Sequence, residues 1–189
     1  MPGNRFHRKT LFIAYGTVGA LAGSPVLAQG LQPSTAFVQA SRSPATSGLV
    51  GGVAWPWQWQ HRLGASVIVG YWEISLGRWR SDAGEAGHVQ AWVSQFGATP
   101  VLRLQSADDA LWFAEAGVGA NLIAPLYRSQ RQRFSTVFNF GEHIGVGRRF
   151  GAAGRHEFSL RLQHFSNGGL RDPNPGANFV ALRYAWQFD

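Results

Sequence analysis

His164 and Ser166 stand two residues apart in the run His164-Phe165-Ser166-Asn167-Gly168. In an extended chain, residues i and i+2 project from the same face. A general base then lies beside a hydroxyl nucleophile, the minimum for acyl transfer. Asn174-Pro175-Gly176 follows, and then a last aromatic segment that ends at Phe188. A His-x-Ser pair is a weak signal by itself and equally describes a polar patch at a strand end. The face that carries the pair is what separates the two readings.

That face is set by period-2 alternation. Val180, Leu182, Tyr184, Trp186 and Phe188 share one side of the last segment, against Ala181, Arg183, Ala185 and Gln187. The preceding segment sets Phe158, Leu160 and Leu162 against Glu157, Ser159, Arg161 and Gln163. His164 and Ser166 continue the apolar set. In a soluble sandwich that set would point inward; in a small membrane barrel it points out to lipid. The aromatic C-terminal strand, eight Trp, 13 Phe and 24 Gly favour the barrel. A hydroxyl and an imidazole on the lipid side are costly unless used, and they imply a lipid substrate.

The N-terminus reads as an export signal. Arg5, His7, Arg8 and Lys9 form a basic start, Thr10 to Ala22 an apolar core, and Val26-Leu27-Ala28 a small-residue cleavage site. The apolar core is too short to span a bilayer as a helix. Residues 1–28 are therefore expected to be a signal peptide and 29–189 a single outer-membrane domain. With His counted neutral, the leader carries two Arg, one Lys and no acid, so the net charge falls from +7 to +4 without it. Every basic residue but Lys9 is arginine, which suits bidentate contact with phosphate. Zero cysteines exclude disulfides and thiolate chemistry.

Turn residues divide the chain into eight antiparallel strands. They are expected at Ser34–Ser41, Gly48–Gln58, Leu63–Arg78, His88–Leu104, Ala110–Asn121, Phe134–Arg148, Arg155–Ser166 and Ala177–Phe188. Pro56 and Pro100 should mark bulges or strand ends. Trp55, Trp57 and Trp59 share one parity and fit an interfacial girdle. Both chain ends of an even-stranded barrel lie on one side, here the periplasm. The segments Arg42–Ser47, Trp79–Gly87, Leu122–Arg133 and Asn167–Gly176 are then extracellular, and Gln105–Asp109 and Phe150–Gly154 periplasmic.

Two further polar residues fall on the His164 face. Asn178 shares the parity of Val180; a hairpin symmetric about Asp172 sets it opposite Ser166 and diagonal to His164. Glu142 shares the parity of Phe140 and Ile144; a turn about Ala152 sets it opposite Leu162 and diagonal to His164. Glu142 is an alternative acid for His164. The reading favoured on sequence is that a bulge turns it into the lumen, to pair with Arg161 or Arg183. Glu115, Arg161 and Arg183 read as lumen ion-pair residues.

The segment from His164 to Gly176, with Phe140-Gly141-Glu142-His143-Ile144-Gly145 before it, resembles the lipid A 3-O-deacylase (PagL) family. The rest of the chain matches in size, export signal and strand pattern. The resemblance implies an eight-stranded outer-membrane barrel that hydrolyses the 3-linked acyl ester of lipid A in lipopolysaccharide. It implies Ser166 as nucleophile, His164 as base, Asn174 and the Gly169 N–H as oxyanion donors, and Asn167 as support for the loop. Asn178 stands where that family carries an acid. An amide can orient the imidazole but cannot neutralise its cation.

His-x-Ser-Asn-Gly followed by this Asn also resembles outer-membrane phospholipase A, a larger calcium-binding barrel. A phospholipase-like hydrolase is the second enzymatic reading; a structural or adhesin-like barrel is the non-enzymatic one. Arg128, Arg131, Arg133 and Arg171 sit in the expected outer loops, as candidate phosphate contacts. His61, His88, His143 and His156 lack metal-ligand spacing, so no metal or cofactor is expected. No nucleic-acid module is present. A homodimer is compatible with the sequence.

Overall fold

The computed structural model describes residues 32–82, 90–108, 110–129 and 132–188. The expected signal peptide, His88 and Arg131 lie outside the described residues. The strands are β1 (Thr35–Ser43), β2 (Thr46–Leu63), β3 (Ser66–Asp82), β4 (Gln90–Ser106), β5 (Trp112–Ala124), β6 (Phe138–Phe150), β7 (His156–Ser166) and β8 (Ala177–Gln187). Each pairs antiparallel with its neighbours, and β8 returns to β1 to close an eight-stranded barrel. Closure satisfies the backbone of every strand, which is what a bilayer demands.

Several strands run past their expected ends. Trp79 lies within β3, not in a loop, and is buried inside the barrel. Leu122 belongs to β5, whereas Phe134 precedes β6. Turn residues mark where a chain can reverse, while a wide barrel wall lets the ladder continue beyond them. Pro56 opens a bulge, with the β2–β3 register shifting between Pro56 and Gln60. At Pro100 the β4–β5 ladder is interrupted but resumes in the same register. Trp55 pairs across from Trp72, Trp57 packs edge-on against Trp72, and Trp59 stacks on His61, so all three lie on the outer wall.

The interior is filled by charge. Arg161 Nε donates to Glu115 Oε1 at 2.8 Å, and its Nη1 to Glu73 Oε1 at 3.2 Å. Arg103 donates to Glu115 Oε2 at 2.9 Å and to Glu157 Oε1 at 2.7 Å. Arg183 Nη2 stands 3.4 Å from Glu73 Oε2, and Tyr71 donates to Glu115 at 2.8 Å. Buried charges persist where each has such partners. A cavity of about 20 Å³ remains beside Gln39, Gln95 and His143, and a larger one of about 220 Å³ lies toward the other end, lined by Tyr71, Arg103, Glu157 and Arg183. At the end carrying the β7–β8 connection an aromatic cluster takes over: Trp79, Tyr127, Phe134, Phe165 and Phe179.

Candidate active site

Alternation on β7 and β8 links the interior to the outer wall. Phe165 and Phe179 point inward, with ring centroids each 4.9 Å from Trp79. Their chain neighbours His164, Ser166 and Asn178 must then face outward. The aromatic cluster is thus the anchor that fixes the polar residues from behind.

The register brings those residues closer than the sequence suggests. His164 pairs directly with Asn178 on β8 and directly with Glu142 on β6. Both expected diagonals are corrected to direct cross-strand pairs, each by a shift of two residues. A 3-10 turn at Ala152–Gly154, with Ala153 and Gly154 at positive φ, moves the centre of the β6–β7 hairpin. A shift of two preserves which face a residue occupies and changes only its neighbour. Ser166 pairs with Phe140. Glu142 is exposed on the outer wall, so its lumen-facing reading is overturned: β6 carries no bulge against either neighbour.

His164 Nδ1 lies 2.5 Å from Asn178 Oδ1. An amide oxygen only accepts, so Nδ1 carries the proton and Nε2 is left as the basic nitrogen. Gly176, at φ 65°, is buried beneath the imidazole. That contact was not predicted; the Gly in Asn-Pro-Gly was its only trace in sequence.

Asn167 is the node of the following loop. Its Oδ1 accepts from the Gly169 N–H at 2.9 Å, and its Nδ2 donates to the Arg171 carbonyl at 2.6 Å and to Ser135 Oγ at 2.9 Å. Its own N–H donates to Asn174 Oδ1 at 3.0 Å. Gly168 and Gly169, at φ 64° and 82°, supply the left-handed backbone this loop needs. Two consequences bear on the expected oxyanion donors. Asn174 has its oxygen committed, so its Nδ2 is the end left to donate. The Gly169 N–H is already committed to Asn167. Ser135, which also donates to the Arg171 carbonyl at 2.9 Å, carries no sequence signal for this role.

A groove of about 640 Å³ runs over the outer wall past Glu142, His164 and Asn178. A second apolar groove of about 650 Å³ continues from Ile144 and Leu162 along Ala114, Val146 and Leu160. Outward positions on β5 are small here (Ala114, Ala116), which lowers the wall between the larger side chains of β4 and β6. Arg42 lines the first groove. Arg128 and Arg133 pair across an isolated bridge, and both are exposed, as is Arg171.

The chain as a whole is similar to known proteins. A family model described as "Lipid A 3-O-deacylase (PagL)" matches residues 49–187. "Lipid A deacylase PagL" of Bordetella bronchiseptica is 33% identical over 141 residues, covering 70% of this chain and 71% of that protein. Its namesake in Pseudomonas aeruginosa is 31% identical over 137 residues, covering 70% and 73%. A structure titled "Crystal structure of the outer membrane enzyme PagL" superposes with a TM-score of 0.68 at 25% identity, over 83% of this chain and 100% of the other. With the family model spanning most of the barrel, the site strands β6 to β8 included, the chain belongs to the lipid A 3-O-deacylase (PagL) family.

Proposed function

We propose that this barrel hydrolyses the ester-linked acyl chain at the 3-position of lipid A, with Ser166 as nucleophile and His164 as general base. The observation that carries the reading is the hydrogen bond from His164 Nδ1 to Asn178 Oδ1 on the outer wall, at the head of an apolar groove. It sets the imidazole in the tautomer a base requires, on the side where a lipid ester arrives.

The chemistry follows from that tautomer. His164 Nε2 takes the Ser166 proton as Oγ attacks the ester carbonyl. The carbonyl electron pair moves onto oxygen, where the Nδ2 of Asn174 is available to donate. Collapse breaks the bond to the sugar oxygen, which leaves with the proton from His164. Water, deprotonated by His164, then attacks the acyl-serine, releasing the free fatty acid and restoring Ser166. Asn178 orients the imidazole throughout. Glu142, on the opposite side of the ring, is the nearest cross-strand carboxylate to the imidazolium. The apolar groove along Ile144, Leu162 and Val146 accommodates the acyl chain. The active site then faces the outer leaflet of the outer membrane, where lipopolysaccharide resides.

Mass spectrometry of lipid A from cells expressing the chain tests this. Loss of the 3-linked acyl group with the wild-type protein, and its retention with Ser166→Ala, is the expected result. Release of fatty acid from phospholipids with lipid A intact would overturn it.

A further inference from the structure

The outer wall changes character at the end of the barrel that carries His164. Arg42 on β1 and Arg78 and Arg80 on β3 are all exposed, while their chain neighbours Ser41, Ser43, Trp79 and Ser81 are buried. All three arginines therefore project outward. Arg42 pairs with Ser47, and Ser47 with Arg80, so two guanidinium groups share one rung across β1, β2 and β3. Arg42 Nη1 donates to Ser47 Oγ at 2.7 Å, and Arg78 lies 5.6 Å from the Trp92 ring centroid. Among the described residues, no carboxylate forms an ion pair with any of the three. One step further along the wall the outward positions turn apolar, with Val38, Leu49 and Leu76 exposed.

This patch adjoins the candidate site. Arg42 pairs with Val180, two residues from Asn178 on β8, and so is a diagonal neighbour of the residue that holds His164. It lines the same groove as His164 and Glu142. Two strand spacings and a two-residue offset separate the backbones of Arg42 and His164, roughly 12 Å. The long arginine side chain can close that gap to the shorter distance between an ester on one carbon of a sugar ring and a phosphate on another. Guanidinium groups without acidic partners are expensive in hydrocarbon and favourable at headgroup depth, where phosphate accepts bidentate hydrogen bonds.

We infer that Arg42 and Arg80, flanked by Arg78, bind the phosphate on the head of the same lipid A molecule whose 3-linked ester enters the His164 groove. The inference rests on the deacylase reading. It moves phosphate recognition from the loop arginines to the barrel wall. There rigid strands hold the arginines at a set distance from the ester, so they select for a phosphorylated sugar.

The test compares bisphosphorylated lipid A with enzymatically dephosphorylated lipid A, using wild-type barrel and the Arg42→Gln/Arg80→Gln variant in detergent micelles. KM for the phosphorylated lipid should rise about tenfold or more in the variant, the worth of one or two charge-assisted hydrogen bonds. The dephosphorylated lipid should lose far less, so the ratio of kcat/KM between the two lipids should fall by about the same tenfold. Equal losses on the two lipids, or no loss, would overturn the inference while leaving the deacylase reading in place. Binding to Ser166→Ala protein, followed by tryptophan fluorescence, separates the two claims. If wild type hydrolyses no lipid A yet the arginines still favour the phosphorylated form, the activity reading fails while phosphate binding at the arginines is retained. An equal arginine-dependent gain with phosphatidylglycerol would show a response to bilayer charge alone and would overturn it.

Discussion

Gly176 lies against the imidazole of His164: a Cβ placed on it would fall 2.5 Å from Cε1 and 2.9 Å from Nε2. Its φ of 65° is also one that L side chains rarely adopt. The glycine therefore sets where the basic nitrogen can point. Gly176→Ala should displace the ring and lower deacylation roughly 10- to 100-fold, the scale of a misplaced catalytic group. The barrel should keep its heat-modifiable migration on gels. Unchanged release of the 3-linked fatty acid would mean that the ring is held elsewhere.

Ser166→Ala and His164→Ala should each reduce turnover on the order of 10³-fold or more, because nucleophile and base act as a unit. The double variant should be scarcely worse than either one. Additive losses, measured by fatty-acid release from folded protein, would argue against a shared proton transfer.

In the proposed mechanism Asn178 and Glu142 divide the two tasks of a third residue. Asn178 accepts from His164 Nδ1, and Glu142 stands directly across on the other strand. Asn178→Ala should lower kcat roughly tenfold by freeing the tautomer. Asn178→Asp should raise kcat, since a carboxylate both orients the ring and offsets the imidazolium formed in the transition state. Glu142→Gln should lower kcat with little change in KM if its charge supports the same cation. If Glu142→Gln costs more than Asn178→Ala, the electrostatic part dominates.

Arg161 is fully buried between Glu115 and Glu73. Arg161→Met leaves both carboxylates short of a partner and should cost about 3–5 kcal/mol of stability. Denaturant unfolding in detergent, followed by gel mobility, measures this. Because Arg161 faces the lumen, the folded fraction should retain its turnover.

Trp79 supports the site from behind, through Phe165 and Phe179. Trp79→Ala should destabilise the barrel by about 3–5 kcal/mol through the cavity it leaves. It should also lower kcat per folded molecule, because the strand positions of His164, Ser166 and Asn178 lose their anchor. A purely structural role would change the first quantity and not the second.

Much of this arrangement is readable from residue order alone. Period-2 alternation assigns His164, Ser166 and Asn178 to one face, and Glu115, Arg161 and Arg183 to the other; Glu142 shares the parity of the first set, but the reading favoured on sequence turns it into the lumen through a bulge that β6 does not have. Eight turn-bounded segments and the aromatic last strand point to a closed barrel, and the His-Phe-Ser-Asn-Gly run marks the site. These features are local, and parity along a strand does not depend on any partner. Neighbours across strands do depend on one. The register of β6, β7 and β8 follows from turn geometry at Ala152–Gly154 and from the loop tied together by Asn167, Asn174 and Ser135. Only the folded chain sets His164 directly between Glu142 and Asn178, slides Gly176 under its ring and brings Arg42 to the edge of the groove. A two-residue slip leaves every face intact and replaces every neighbour, so faces could be read from the sequence while contacts required the closed barrel.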